Sequence, residues 1–286
     1  MNRIAVGAGV FAAIFALGQQ SALCAECSWG TPENRVIESS TPDGVSMAYK
    51  ELNIGQPFDA AEAVIRREYK YVSMAAPQEF NVDGGCKLKV SNEISATTVG
   101  DGRIETLTAQ FGSPRLGRQL LAFQRHIRYE ENVALPLVSE IVNQLYGRFG
   151  EPSALGTTFE FPNGHMPVYY FAYKDRKKIR MDLDAITSRG GWHPCRRAAN
   201  FYPPRIFEST QYEQCDFIVH VYFGVMNPSK ESSTPDPQHQ RYKQAWIQFL
   251  DLKRAGIDLG ARESWITGLK RQLDEAAAKR TPTDQL

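Results

Sequence analysis

The chain is expected to fold as an α+β protein: antiparallel sheets packed on helices, arranged as two helix-plus-sheet units with disulfide clips. Two features of the sequence carry that expectation. Apolar residues recur at helical spacing in a few separate stretches and at a period of two between them, in the order helix, strands, helix, strands. Four cysteines follow a segment with the layout of an export leader, and an even number in an exported chain points to paired thiols.

The leader comes first. Met1 to Ala25 carries one positive charge at Arg3, an apolar run from Ile4 to Leu17, and small residues toward Ala25. This is the arrangement of a signal peptide over 1–25, with cleavage expected after Ala25 and a cut after Ala22 as the alternative. The context of Cys24 fits a lipoprotein signal poorly. The apolar core falls short of the roughly 20 residues that a spanning helix needs, and no later segment approaches that length. The mature chain is therefore expected to have no transmembrane segment and to be periplasmic or secreted. Loss of Arg3 takes the formal net charge from +1 to zero, which argues against a nucleic-acid partner, whose footprint is a basic surplus.

Of the five cysteines, Cys24 leaves with the leader and Cys27, Cys86, Cys195 and Cys215 remain. Three connectivities are open. Proximity along the chain favours Cys27 with Cys86 and Cys195 with Cys215. The second pair lies in the densest cluster of reactive side chains, His193, Cys195, Cys215 and His220, which admits three readings: a disulfide, a zinc site, or a cysteine nucleophile with a histidine base. The spacing lacks the usual pair of short zinc clips, and an oxidising compartment favours the bridge. No Gly-x-Ser-x-Gly elbow, phosphate-cradling glycine loop or His-Glu-x-x-His motif occurs. The expectation is a non-enzymatic binding or envelope-interaction protein without catalytic residues, metal or cofactor, acting on an unknown protein or envelope component. The rival is a periplasmic hydrolase or zinc-dependent enzyme built on His193, Cys195, Cys215 and His220.

Along the mature chain, 26–55 reads as a loop-rich arm in which only Val45 to Leu52 is ordered. The first unit, 56–133, opens with a helix from Asp59 to about Tyr71, whose apolar face is Phe58, Ala61, Ile65 and Tyr69. Alternation then gives strands at Cys86, Leu88, Val90 and at Ile104, Leu107, Ala109, with Gly100-Asp101-Gly102 as a turn. Leu120 to Tyr129 fits a strand and a helical face alike. The strand is preferred because Arg125, His126 and Arg128 would spoil a helical stripe, and it puts His126 on the polar side as an exposed neutral imidazole.

The second unit, 134–226, begins with a helix from Leu135 to about Phe149, ended by Gly150 and Pro152. A central strand over Val168 to Tyr173 runs into the basic stretch Lys174 to Arg180. That stretch is expected at a solvated hairpin tip, with Arg176, Lys177, Lys178 and Arg180 as a possible partner surface for an acidic or anionic-lipid target. Phe217 to Phe223 forms the next strand, with His220 facing away from Val219. Residues 227–241 read as a mobile loop, 242–280 as a strand through Trp246, Gln248 and Leu250 and a helix from Arg262 to about Lys279, and 281–286 as a disordered tail.

The helix end Leu145-Tyr146-Gly147-Arg148-Phe149-Gly150-Glu151-Pro152 looks like the Leu-x-x-Tyr-Gly-x-Pro ends of many small exported bacterial α+β proteins. Tandem helix-plus-sheet units with a disulfide each resemble the β-lactamase-inhibitor-protein fold and its outer-membrane-assembly lipoprotein relatives. The resemblance spans Phe58 to Phe223. It implies binding or assembly rather than catalysis, and it carries over no functional residue because the helix end is a structural feature.

Overall fold

Period-two alternation sends successive side chains of a strand to opposite sides, and when strands pair in register each side becomes one continuous sheet face. The computed structural model describes residues 28–33, 37, 42, 44–82, 86–158, 166–181, 195, 215–225 and 240–280. Within them the elements run β1 (Ala48–Tyr49), β2 (Leu52–Asn53), α1 (Phe58–Glu68), β3 (Tyr71–Met74), β4 (Gln78–Val82), β5 (Cys86–Val90), β6 (Glu93–Gly100), β7 (Arg103–Phe111) and β8 (Leu120–Tyr129). They continue as α2 (Val138–Phe149), β9 (Ala154–Thr158), β10 (Met166–Lys174), β11 (Lys177–Lys178), β12 (Phe217–Val225), β13 (Tyr242–Asp251) and α3 (Leu252–Arg280). The protein is thus α+β. The expected leader, the tail and most of 227–241 lie outside the described residues.

One nine-stranded sheet runs through both halves of the chain in the order β11, β10, β12, β13, β8, β7, β6, β3, with β9 also paired to β10. All its pairings are antiparallel. The two halves meet where β8 lies against β13, Ile127 opposite Ala245 and Phe123 opposite Phe249. On one face, here the helix face, a core cluster joins Leu107, Phe123, Phe249, Val219 and Phe171 to the buried sides of α1 (Phe58, Ala61, Ile65) and α2 (Val138, Val142, Leu145, Phe149).

Both of these helices are shorter than the sequence pattern suggests. α1 stops at Glu68 because Tyr69 is already extended, although the Tyr69 side chain stays on the buried face as expected. α2 starts at Val138, since Leu137 is extended and forms a bridge to Arg241. Gly150 ends it at φ 67°, where its N–H donates to the carbonyl of Tyr146. β8 is the strand that the alternation suggests.

The largest departure is the last helix. It starts at Leu252, ten residues before Arg262, and passes through Gly256 and Gly260. Each glycine costs about 1 kcal/mol of helix propensity. Packing offsets this: Leu252 and Ala255 join the cluster on the opposite sheet face, while Leu269, Trp265 and Leu273 close over the β4–β5 hairpin. Between them the buried Asp258 carboxylate accepts from the Ser113 N–H at 2.9 Å and the Ser113 hydroxyl at 2.8 Å.

Candidate functional site

Two charged residues interrupt the apolar rows of the helix face: Glu105 on β7, in phase with Leu107 and Ala109, and Arg125 on β8, in phase with Phe123 and Ile127. Glu105 is only 2% exposed. A buried charge is tolerated when it is paired and hydrogen-bonded, and Glu105 is both. Its carboxylate accepts from the Tyr49 and Tyr69 hydroxyls, each at 2.8 Å, and from Arg125 through Nε at 3.1 Å and Nη2 at 3.2 Å. Arg103 adds an ion pair at 3.2 Å. Burial works to raise the Glu105 pKa, but the hydrogen bonds and charge of Arg125, joined by the two phenols, outweigh it and hold the carboxyl at about 2. Burial, joined by the same carboxylate, pushes the Tyr49 phenol up to about 12 against the opposing charge of Arg125.

Above this floor lies a cleft of about 290 Å³ between α2, the β1 hairpin and the β8–β13 seam. Its apolar lining comes from Ile127, Ile141, Leu145, Ile247 and Phe249, and its charged lining from Arg103, Arg125, Arg148 and Glu140. Tyr49, Tyr129 and Tyr242 supply phenols; the last two meet edge to face at 5.7 Å. The Arg125 guanidinium stacks 3.5 Å from the Tyr49 ring centroid, so its plane is held from two sides. Arg148, in the last turn of α2, donates Nε to the Ser46 carbonyl at 2.6 Å and Nη2 to the Ala48 carbonyl. Among the described residues no ion pair involves Arg148, and burial lowers its pKa from the ordinary arginine value. The arrangement can orient an anion with an apolar body in a partly dry site.

The residues singled out in the sequence stand elsewhere. Cys195 and Cys215 form a disulfide with Cα atoms 5.6 Å apart, fully buried in the opposite-face cluster with Tyr170, Ile218 and Leu250. Cys86 is disulfide-bonded; Cys27 and His193 lie outside the described residues. His220 is buried on β12, facing away from Val219, stacked on Tyr170 at 4.6 Å, and donates Nδ1 to Gln248 at 3.0 Å. Gln248 in turn donates to Gln124 across the seam. Among the described residues no group of three or more His, Cys, Asp or Glu is placed to hold a metal, and no helix is long and apolar enough to cross a membrane.

His126 is not exposed: it is half-buried, stacked on Trp246 at 4.5 Å and paired with Gln244 at 3.0 Å. Burial lowers its pKa, against the opposing pull of the Gln244 hydrogen bond. The basic stretch turns at Asp175 and Arg176, both at positive φ, between β10 and β11. Arg176, Lys177 and Arg180 are exposed there. Lys178 is exposed as well, and its ammonium donates to the carbonyls of Phe149 and Glu151 at the negative end of α2. Lys174 pairs with Asp216 at 2.9 Å.

The cleft residues Arg103, Arg125 and Arg148, and Glu105 beneath them, belong to no sequence motif. Their sequence signal is a charge in phase with an apolar alternation, which marks Glu105 and Arg125 but not Arg148. No family model matches the chain, and no curated protein or solved structure matches it.

Proposed function

We propose that this is an exported, non-enzymatic binding protein whose ligand site is the arginine-lined cleft over the β8–β13 seam. The observation that carries the reading is the fixed guanidinium–carboxylate–phenol cluster beneath an open cleft, because cavities with an apolar lining and a few held polar groups are where small ligands bind. The leader-like 1–25 segment supports export. The Cys195–Cys215 bridge supports an oxidising compartment and takes both thiols out of hydrolase or zinc chemistry.

The strand order supports the finer reading of two units. On one side of the seam α1 is followed by β3, β6, β7 and β8, with the β4–β5 hairpin inserted. On the other, α2 is followed by β9, β10, β12 and β13, so the last strand of each half lies at the centre and the first at an outer edge. That mirrored order suits the tandem arrangement of the inhibitor-protein resemblance. Arg176, Lys177, Lys178 and Arg180 remain the proposed contact for an acidic partner.

Native mass spectrometry on protein from its own host tests the reading. The expected result is a chain lacking the leader, four hydrogens lighter than its reduced form, and carrying a small-molecule mass that is released on denaturation. Ile141→Trp, which fills the cleft, is expected to abolish that adduct. Two reactive thiols or a bound zinc on thiol titration and metal analysis would move the assignment to the enzyme reading.

A further inference from the structure

We infer that the cleft selects a small organic monocarboxylate, its carboxylate held by Arg148 and Arg103 and its apolar body laid against Ile141, Leu145 and Phe249. The inference rests on the reading of the cleft as a ligand site and adds the ligand's chemistry.

Charge comes first. Three guanidiniums, Arg103, Arg125 and Arg148, face two carboxylates, Glu105 on the floor and Glu140 on α2, which leaves one positive charge for an occupant to balance. Arg125 is committed, since two of its nitrogens grip Glu105 and its plane lies on Tyr49. Arg148 is in a different state. Its described hydrogen-bond partners are the neutral carbonyls of Ser46 and Ala48 and the Ser46 hydroxyl, and it lies over the Phe149 and Phe249 rings, so its position is fixed while its charge has no acid in contact. A half-buried guanidinium held this way attracts an anion more strongly than an exposed one, because water screens it less. Arg103 keeps an ion pair to Glu105 and is 43% exposed, so it can reach an occupant from the β7 side.

Chemistry and size narrow the anion. A dianion would overbalance the single positive charge and meet Glu140, whereas a planar carboxylate matches the fork of an arginine. A volume of about 290 Å³ lies at the small end of ligand cavities, which suits a short acyl or single-ring acid and excludes a long lipid chain. A free organic acid and the carboxyl end of a peptide share this chemistry; the cleft size favours the free acid.

Calorimetric titration of the intact mature protein tests the inference with four matched probes: 3-phenylpropanoate, 3-phenylpropanol, phenyl phosphate and a tripeptide ending in a phenylalanine carboxylate. The expected result is that the acid binds about tenfold or more tighter than the alcohol, as charge-assisted hydrogen bonds predict, and tighter than the phosphate. Arg148→Gln should reduce the preference for acid over alcohol several-fold, with Arg103 keeping the remainder, a selective loss that general misfolding, which weakens both probes alike, would not reproduce. Tighter binding of the tripeptide than of phenylpropanoate would overturn the free-acid source. Equal binding of acid and alcohol, both blocked by Ile141→Trp, would overturn the anion selection and leave the binding reading standing. No binding by any probe, with no adduct on host-derived protein, would overturn both.

Discussion

Glu105 shows how one buried charge organises its surroundings. Its carboxylate ties the β1 hairpin (Tyr49), the residue after α1 (Tyr69), the start of its own strand (Arg103) and the neighbouring strand β8 (Arg125) to one point. Glu105→Gln keeps the shape but leaves Arg125 without its counter-charge, and breaking a buried pair in this way costs about 3 kcal/mol. Urea unfolding at neutral pH should record that loss as a lower midpoint with an unchanged slope. The pH dependence has a defined sign. The folded pKa of Glu105 is depressed from 4.5 to about 2, so its contribution is complete above pH 4.5 and is lost as the pH falls toward 2. Wild-type stability should decline across that window, and Glu105→Gln should show a shallower decline; identical curves would refute the assignment.

At the scale of elements, the β6–β7 hairpin depends on its turn. Gly100 pairs with Arg103, so Asp101 and Gly102 form a two-residue connection with both φ angles positive, at 53° and 66°. This is the primed turn that matches strand twist and favours an Asp-Gly pair. A Cβ at position 102 would lie 2.1 Å from the Val133 methyl, so the site rejects a side chain on space as well as on backbone angle. Gly102→Ala is expected to cost about 2 kcal/mol, read as a lower melting temperature and as faster amide exchange in β6 and β7. On α3, Asp258→Ala would strand the buried Ser113 N–H and hydroxyl. About 2 kcal/mol of stability should be lost, measurable by the same unfolding assay.

For the whole molecule, the continuous sheet couples the two halves. The seam between β8 and β13 buries Phe123 and Phe249, stacked at 4.6 Å, so neither half can be detached without exposing core. The Cys195–Cys215 bridge closes a 20-residue separation on the face away from the cleft. On the chain-entropy account its reduction removes about 3 kcal/mol. Denaturation with and without reductant should show that loss, while probe binding in the cleft under native conditions should persist, since the bridge contributes no residue to it. Loss of binding on reduction would mean that the two sheet faces are coupled.

By itself the sequence determined the local grammar, the α+β class, α1 and α2 from apolar spacing and the Asp-Gly turn, and it favoured β8 as a strand and Cys195 with Cys215 as a pair. These follow from interactions between near neighbours or from the chemistry of a single residue type. Only the tertiary structure decided that the strands form one sheet, that α3 continues through Gly256 and Gly260, and that His126 is stacked rather than solvated. It also decided that Arg103, Arg125 and Arg148 converge on one cleft. Those outcomes depend on which distant surfaces meet, such as Leu252 on the sheet or Arg148 beside β1, and sequence spacing carries no record of a contact whose partners lie some 100 residues apart.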